Sequence, residues 1–288
     1  MALLESELIL NPDGSIYHLN LLPEDIAPTI IVVGDPNRVS MVSKYFDTIE
    51  VIKEKREFLT QTGVYRGKRI SVVSTGIGTD NIDIVFNELD ALANIDFKTR
   101  KVKSKKKQLQ IIRIGTSGAI QKDIPIDSFI ASTSGIGFEG LLHFYESQSV
   151  RNETLEASLN DFLGWHHLNI VPYAVDCSEE LLKKFSSNRI RFGITGTNSG
   201  FYGPQGRNLR LPPRIPDFND KLRDFTYQKQ RITNLEMETA GIYGLAKLLG
   251  HQALSLNVIL ANRMTGEFSK NGFLAIDDLI KYALGKLT

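Results

Sequence analysis

The sequence predicts an α/β fold whose sheet is covered by helices on both faces. Three observations carry this. Short β-branched runs recur along the chain and are apolar through their whole length, the pattern of strands buried on both faces. Segments with helical spacing lie between them. Several runs end in glycine-rich segments, and in folds of this class ligands sit at the carboxyl ends of the strands, where free backbone N–H groups bind anions.

In chain order, Thr29 to Val33 (TIIVV) is the first strand, turning at Gly34-Asp35-Pro36 into a helix that starts near Asn37. Arg69 to Ser74 is a second strand, ending in Thr75-Gly76-Ile77-Gly78. Asn81 to Ala93 is a helix with Ile82, Val85, Phe86, Leu89, Leu92 and Ala93 on one face. Gln110 to Ile114 is a third strand, ending in the turn-like Gly115-Thr116-Ser117-Gly118. Ser128 to Ser132 and Arg191 to Thr195 are further strands. The Gly-, Pro- and Arg-rich stretch from Gly196 to Pro216 reads as an active-site loop, not a linker. Glu238 to Leu249 is a helix stopped by Gly250, Leu254 to Leu260 the last strand, and Ile276 to Leu284 a closing helix. No linker divides residues 1–288, which are expected to form one domain.

Composition narrows the function classes. With 42% hydrophobic and 23% charged residues the chain is an ordinary globular protein, neither disordered nor fibrous. No apolar run is long enough for a membrane span. The first ten residues carry Glu5 and Glu7 and no basic region, so they do not read as a secretory signal. Cys177 is the only cysteine, which excludes an internal disulfide and points to a reducing compartment, the cytoplasm. Residues 98–107 (KTRKVKSKKK) hold seven basic side chains, leaving 27 basic against 33 acidic residues elsewhere. Such a body is not a nucleic-acid binder. The run itself could be a basic arm for RNA or DNA, but reads as a solvated loop between two elements.

Familiar catalytic patterns are missing: no P-loop, no GxSxG elbow, no CxxC or HExxH. His143, His166, His167 and His251 lack metal-ligand spacing, and no metal is expected. A literal GxGxxG at Gly135, Gly137 and Gly140 is followed by no clean helix or second βαβ half, so it reads as a flexible strand-end loop. Three segments carry more specific chemistry. In Gly34-Asp35-Pro36-Asn37-Arg38, a glycine lets the backbone approach an anion and a guanidinium follows four residues on. In Arg113-Ile114-Gly115-Thr116-Ser117-Gly118, an arginine sits inside a buried strand, where an unpaired charge is costly and a bound anion would satisfy it. In Asn234-Leu235-Glu236-Met237-Glu238-Thr239-Ala240, two carboxylates at the mouth of a helix can accept hydrogen bonds from a diol. Singly, Arg38 could cap a helix, Arg113 could pair with a structural acid, and the glutamates could favour the helix dipole. Together, two anion sites and a diol site at strand ends of one sheet fit a phosphate and a ribose.

VVGDPNRV, RIGTSGAI and NLEMETAGI resemble the signature segments of the nucleoside phosphorylase type I family, in particular its uridine phosphorylase branch. IYHL, KREF at 55–58, STGIGTDN at 74–81, FYGPQGR at 201–207 and NVILANR at 257–263 support the resemblance in the same order, from about Ile16 to Leu284. It implies a three-layer α/β/α domain with a central mixed, partly barrel-like sheet. Gly34, Arg38, Arg113 and Thr116 would then hold phosphate, with Arg56 reaching in from a neighbouring subunit. Glu238, with Glu236 beside it, would bind the ribose hydroxyls, Met237 would pack on the sugar, and the neighbour's His18 would touch the 5′-hydroxyl. Gln205 and Arg207 would read the uracil edge, Phe201 would face the ring, and Arg263 would lie near O4. Purine-specific members carry an aspartate near that last position; Asn262-Arg263-Met264 favours a pyrimidine. Residues 98–107 look like an insertion. Members also bind a cation at the dimer interface; Glu57 matches a ligand there, but Asn81 replaces the usual serine, so none is expected.

The resemblance thus implies reversible phosphorolysis of uridine to uracil and ribose 1-phosphate. The substrates are a nucleoside and inorganic phosphate, with no cofactor, and the protein would be at least a dimer. The chemistry agrees: a dianion held by arginines beside a cationic sugar is positioned and stabilising, so no nucleophilic side chain is required. The alternatives are a purine phosphorylase or nucleosidase of the same family, or a nucleoside-binding protein without turnover.

Overall fold

The computed structural model describes residues 2–165, 168 and 170–288, so His166 and His167 lie outside the described residues. The elements run β1 (Thr29–Val33), α1 (Pro36–Ser43), β2 (Thr48–Lys55), β3 (Phe58–Tyr65), β4 (Lys68–Ser74), α2 (Thr79–Asn94), β5 (Ile95–Asp96), β6 (Lys101–Val102), β7 (Gln110–Ala119) and β8 (Phe129–Gly137). They continue α3 (Glu153–Leu163), β9 (Tyr173–Asp176), α4 (Glu179–Phe185), β10 (Ile190–Thr197), α5 (Phe218–Asp224), β11 (Thr226–Tyr227), β12 (Gln230–Glu236), α6 (Thr239–Leu248), β13 (Gln252–Asn262), β14 (Glu267–Phe268) and α7 (Gly272–Leu287).

One large mixed sheet organises the chain, in the order β11-β12-β10-β8-β13-β7-β1-β4-β3-β2. The apolar runs form its centre: β1 pairs in parallel with β4 and β7, and β7 in parallel with β13. The far end of β7 also pairs antiparallel with β12, Gly118 opposite Leu235 and Ala119 opposite Asn234. That contact closes β7, β13, β8, β10 and β12 into a ring, so the sheet is part open and part barrel. The α/β expectation and its barrel-like sheet hold.

Local chemistry sets the helix ends. Asp35 caps α1 by accepting the Asn37 N–H at 2.9 Å, and Pro36 occupies the first turn, where its missing N–H costs nothing. The six residues expected on the inner face of α2 are all buried. Burying each large side chain among them contributes roughly 1.5–3 kcal/mol, an upper figure because unfolded chains already hide some apolar surface. α6 starts at Thr239, one residue later than expected, because the Glu236 carboxylate accepts the N–H groups of both Glu238 and Thr239 and so fixes the first turn.

Three expectations are corrected. Gly115–Gly118 is not a turn: β7 continues through it to Ala119, because β13 and then β12 supply ladder partners. The GxGxxG segment is not a flexible loop either. Gly135 and Gly137 lie inside β8, where a Cβ on Gly135 would come within 2.8 Å of the Ala240 Cα and one on Gly137 would overlap the Tyr173 ring. These glycines let α6 and β9 approach the sheet; they do not form a phosphate-binding turn. The third is corrected in part: residues 98–107 are mostly exposed, as expected, but Lys101 and Val102 form β6 against β5. Arg100 donates to the Leu3 and Leu4 carbonyls at 2.9 and 2.8 Å, and Lys103 to the Ala93 carbonyl at the end of α2 at 3.0 Å. No described helix is long and apolar enough to cross a membrane.

Candidate active site

A cavity of about 820 Å³ opens at the carboxyl ends of β1, β7 and β12 and beneath the loop that follows β10. Its lining brings together Gly34, Arg38, Arg113, Thr116, Phe201, Gln205, Arg207, Glu236, Met237 and Glu238, ten residues singled out by sequence. They come from four parts of the chain, and the closure of β7 onto β12 is what makes them converge.

At one end, Arg38 projects from α1. Its one side-chain hydrogen bond among the described residues is to the Ile114 carbonyl, at 3.3 Å. Burial, and then the positive charge of Arg113, pull its pKa below the ordinary arginine value. A half-buried cation with no carboxylate bonded to it is suited to an anion. Gly34 keeps the backbone open here: a Cβ would sit 3.3 Å from the Gly76 carbonyl oxygen.

Arg113 is paired with acids, the alternative the sequence also allowed, and does not depend on an anion for a partner. It is buried and already holds two carboxylates and an amide. Nη2 is bonded to Glu238 and lies 3.2 Å from Glu236, and Nη1 donates to Asn257 Oδ1 at 2.7 Å. Burial acts to lower its pKa, but Glu238 and Glu236 outweigh it and raise it. Glu236 is held by Thr197 Oγ1 at 2.7 Å and by the first N–H groups of α6. Burial, with the Glu238 charge adding to it against the pull of Arg113, raises the Glu236 pKa. Glu238 takes Arg113 on one oxygen and the Gly78 N–H, at 2.8 Å, on the other. Each carboxylate oxygen has a further lone pair for a hydroxyl.

The other end of the cavity is built by the loop after β10. Gln205 is buried, and its Oε1 accepts from Arg207 Nη1 at 2.7 Å. The Arg207 guanidinium lies 3.7 Å from the centre of the half-exposed Phe201 ring. Burial and then Arg263 bring the Arg207 pKa down to about 10. A guanidinium and an amide in the lining suit a planar heterocycle that leaves as an anion.

Three sequence-derived residues do not line this cavity. Arg263 lies behind it and braces the loop, donating to the Gln205 and Gly206 carbonyls at 3.1 and 3.3 Å. His18 is anchored to α2, its Nδ1 2.7 Å from Glu88 Oε1. Arg56 is exposed in the turn between β2 and β3, next to Glu57, which borders the cavity together with Asn81. Of the remaining histidines, His143 Nε2 meets the Val171 carbonyl at 2.9 Å and His251 Nδ1 accepts the Leu109 N–H at 3.3 Å. Sequence reasoning missed Asn257, Thr197 and Gly78. Asn257 carried the same signal as Arg113, a polar side chain inside an apolar strand.

The model of the phosphorylase superfamily matches residues 28–281. A uridine phosphorylase of Thermococcus kodakarensis is 34% identical over 260 residues, 90% of this chain and 82% of that protein. A DeoD-type purine nucleoside phosphorylase of Buchnera aphidicola is 27% identical over 273 residues, 94% of this chain and 98% of the relative. A crystal structure of a Trypanosoma brucei nucleoside phosphorylase, described as showing uridine phosphorylase activity, superposes with a TM-score of 0.87 at 27% identity, covering 98% of this chain and 99% of that one.

Proposed function

The chain belongs to the phosphorylase superfamily, and from that premise we propose that it is a uridine phosphorylase, a pentosyltransferase that converts uridine and phosphate reversibly to uracil and ribose 1-phosphate. The observation that carries the reading is that one cavity holds the anion-seeking Arg38 beside Arg113, the Glu238 carboxylate with Met237 next to it, and the Gln205–Arg207 pair. These match the three parts of the reacting system. Phosphate, held by Arg38, Arg113, Gly34 and Thr116, attacks C1′ from the face opposite the base. Glu238 takes the ribose hydroxyls and fixes the sugar. Negative charge collects on the departing uracil, where Gln205 and Arg207 are placed, with Arg263 behind them. Holding nucleophile and sugar in line supplies proximity, and fixed donors at the base supply charge stabilisation. Phosphate is itself the nucleophile, so the reaction calls for no redox cofactor and no metal.

His18 and Arg56 stand apart from their own chain's cavity, which supports a homodimer in which each completes the partner's site. The lone buried Cys177 fits a cytoplasmic enzyme of nucleoside catabolism and pyrimidine salvage. Purified protein should release uracil from uridine only when phosphate is present. Release without phosphate would make it a nucleosidase, and no release of base from either uridine or inosine a binding protein. The DeoD-type relatives favour a second reading, a purine phosphorylase. Asn262 and Arg263, where purine members are expected to carry an acid, speak against it, and preference for inosine over uridine would establish it.

A further inference from the structure

The register of β7 against β13 sets Arg113 opposite Ser255 and Gly115 opposite Asn257. Arg113 does not reach straight across to Ser255. Its side chain folds along its own strand and lies over Gly115, where even a Cβ would overlap the guanidinium. This brings Nη1 to Asn257 Oδ1 at 2.7 Å. Asn257 is fully buried, and its Nδ2 donates to Ser255 Oγ at 3.2 Å. Ser255 Oγ in turn lies 2.9 Å from Thr239 Oγ1, at the first residue of α6. An amide in the middle of an apolar strand is costly unless bonded. Here its oxygen is spent on one guanidinium.

Arginine has five N–H donors. Glu238 and Glu236 face Nη2, and Asn257 takes one donor of Nη1. Nε–H and the second Nη1–H remain for an anion. Without Asn257 both anchors of the guanidinium would be carboxylates at one end, and it could swing toward them and withdraw those two donors. We infer that Asn257, with Gly115 as the seat beneath the guanidinium, is a positioning residue for the reaction: it holds Arg113 between Glu238 and the phosphate. Asn257 touches neither substrate and acts through Arg113. The inference rests on the phosphorolysis reading.

The test is a double-mutant cycle on the full chain, read as kcat, KM for phosphate and KM for uridine, with phosphate Kd by titration calorimetry alongside. Asn257→Ala should lower kcat/KM for phosphate by at least about tenfold, the factor one charge-assisted hydrogen bond supports. The KM for uridine should move less than about twofold, and Gly115→Ala should reproduce the pattern although it removes no hydrogen-bonding group. In an Arg113→Lys background, which keeps the buried positive charge, Asn257→Ala should cost less than about twofold, because coupled residues are not additive. Should Asn257→Ala not fold, Asn257→Ser and Gly115→Ala carry the same comparison. Equal losses in both backgrounds, or folded variants with wild-type phosphate constants, would overturn the inference. A wild type that binds phosphate but does not release uracil would overturn the proposed function, while the cycle is still read on phosphate Kd. A wild type that binds no phosphate would overturn both.

Discussion

Arg113 and Glu238 are ion-paired in the lining of the cavity, so the residues proposed for the phosphate and for the ribose hold one another. Both are buried, and breaking such a pair leaves an uncompensated charge. Arg113→Ala should therefore do two things. It should cost about 3–5 kcal/mol of stability, because Glu236 and Glu238 lose their cation. It should also lower kcat/KM at least about a hundredfold, equivalent to ~2.7 kcal/mol of transition-state stabilisation. Thermal denaturation and steady-state kinetics read both. Near-normal phosphate-dependent turnover in the variant would remove Arg113 from the anion site.

Arg38 should behave in the opposite way toward stability. Its one described side-chain hydrogen bond is to a backbone carbonyl, and its lowered pKa reflects burial and repulsion from Arg113. Arg38→Met removes a half-buried cation without orphaning a carboxylate. The melting temperature should stay level or rise, while the KM for phosphate rises by at least about tenfold, the worth of one hydrogen bond between charged groups. A large drop in melting temperature would show that Arg38 is structural.

Base preference follows from the other end of the cavity. A site that hydrogen-bonds a pyrimidine edge rejects a base that leaves its buried polar groups unpaired. Uridine should exceed inosine in kcat/KM by at least about a thousandfold, or ~4 kcal/mol. Gln205→Ala and Arg207→Ala should each erase much of that ratio. Arg207→Ala also loses the stacking on Phe201, so its effect should be the larger. Equal turnover of the two nucleosides by the intact protein would move the enzyme to the purine branch.

Away from the site, Asp277 on α7 joins Lys44 at the end of α1, at 2.6 Å, and Lys281, at 2.8 Å. Burial pushes this carboxyl up, but Lys281, Lys44 and Tyr45 outweigh it and hold its pKa at about 2. The folded pKa lies below the unfolded one, so the unfolded chain binds more protons across this window. The stabilisation is therefore full above about pH 5 and is lost as pH falls through the window toward 2. Asp277→Asn should lower the melting temperature at pH 7, and the difference from wild type should narrow between pH 5 and pH 3. A difference that stays constant with pH would mean that the carboxylate charge contributes nothing.

What the sequence made legible follows from range. The central strands and the inner face of α2 are written in local periodicity, and the structure keeps them. Arg38, Arg113 and Glu238 were legible because each breaks an apolar or turn pattern where a ligand could explain it. What was missed depends on pairing across the chain. Gly115–Gly118 looks like a turn in isolation, and only β13 and β12 make it a strand. The β2–β3 hairpin has a partly exposed outer strand, so its residues lack the apolar run that marks buried strands. Asn257 could be noticed as an odd amide, but its partner lies 144 residues away. The Arg113–Glu238 pair, 125 residues apart, is set by the same closure.

Arg56 and His18 lie outside their own chain's cavity. Arg56 is exposed in the β2–β3 turn, and His18 is fixed by Glu88, which also accepts the His18 backbone N–H at 3.0 Å and that of Leu19 at 2.8 Å. Neither lines that cavity, as expected of groups offered to a two-fold partner. An isologous dimer closes two such pockets at once and excludes water from each. Arg56→Ala and Arg113→Ala chains should each be nearly inactive alone. In a mixed dimer, one site takes Arg113 from the first chain and Arg56 from the second and is intact, while the other site lacks both. Random reassortment of equal amounts makes about half the dimers mixed, each with one good site, so about a quarter of wild-type activity should return. Because Arg113→Ala also costs stability, the exchange should be run well below the melting temperature of that variant and subunit mixing confirmed by native mass spectrometry. Activity that stays at the background of the single variants in a mixed sample would show that each chain builds its site alone.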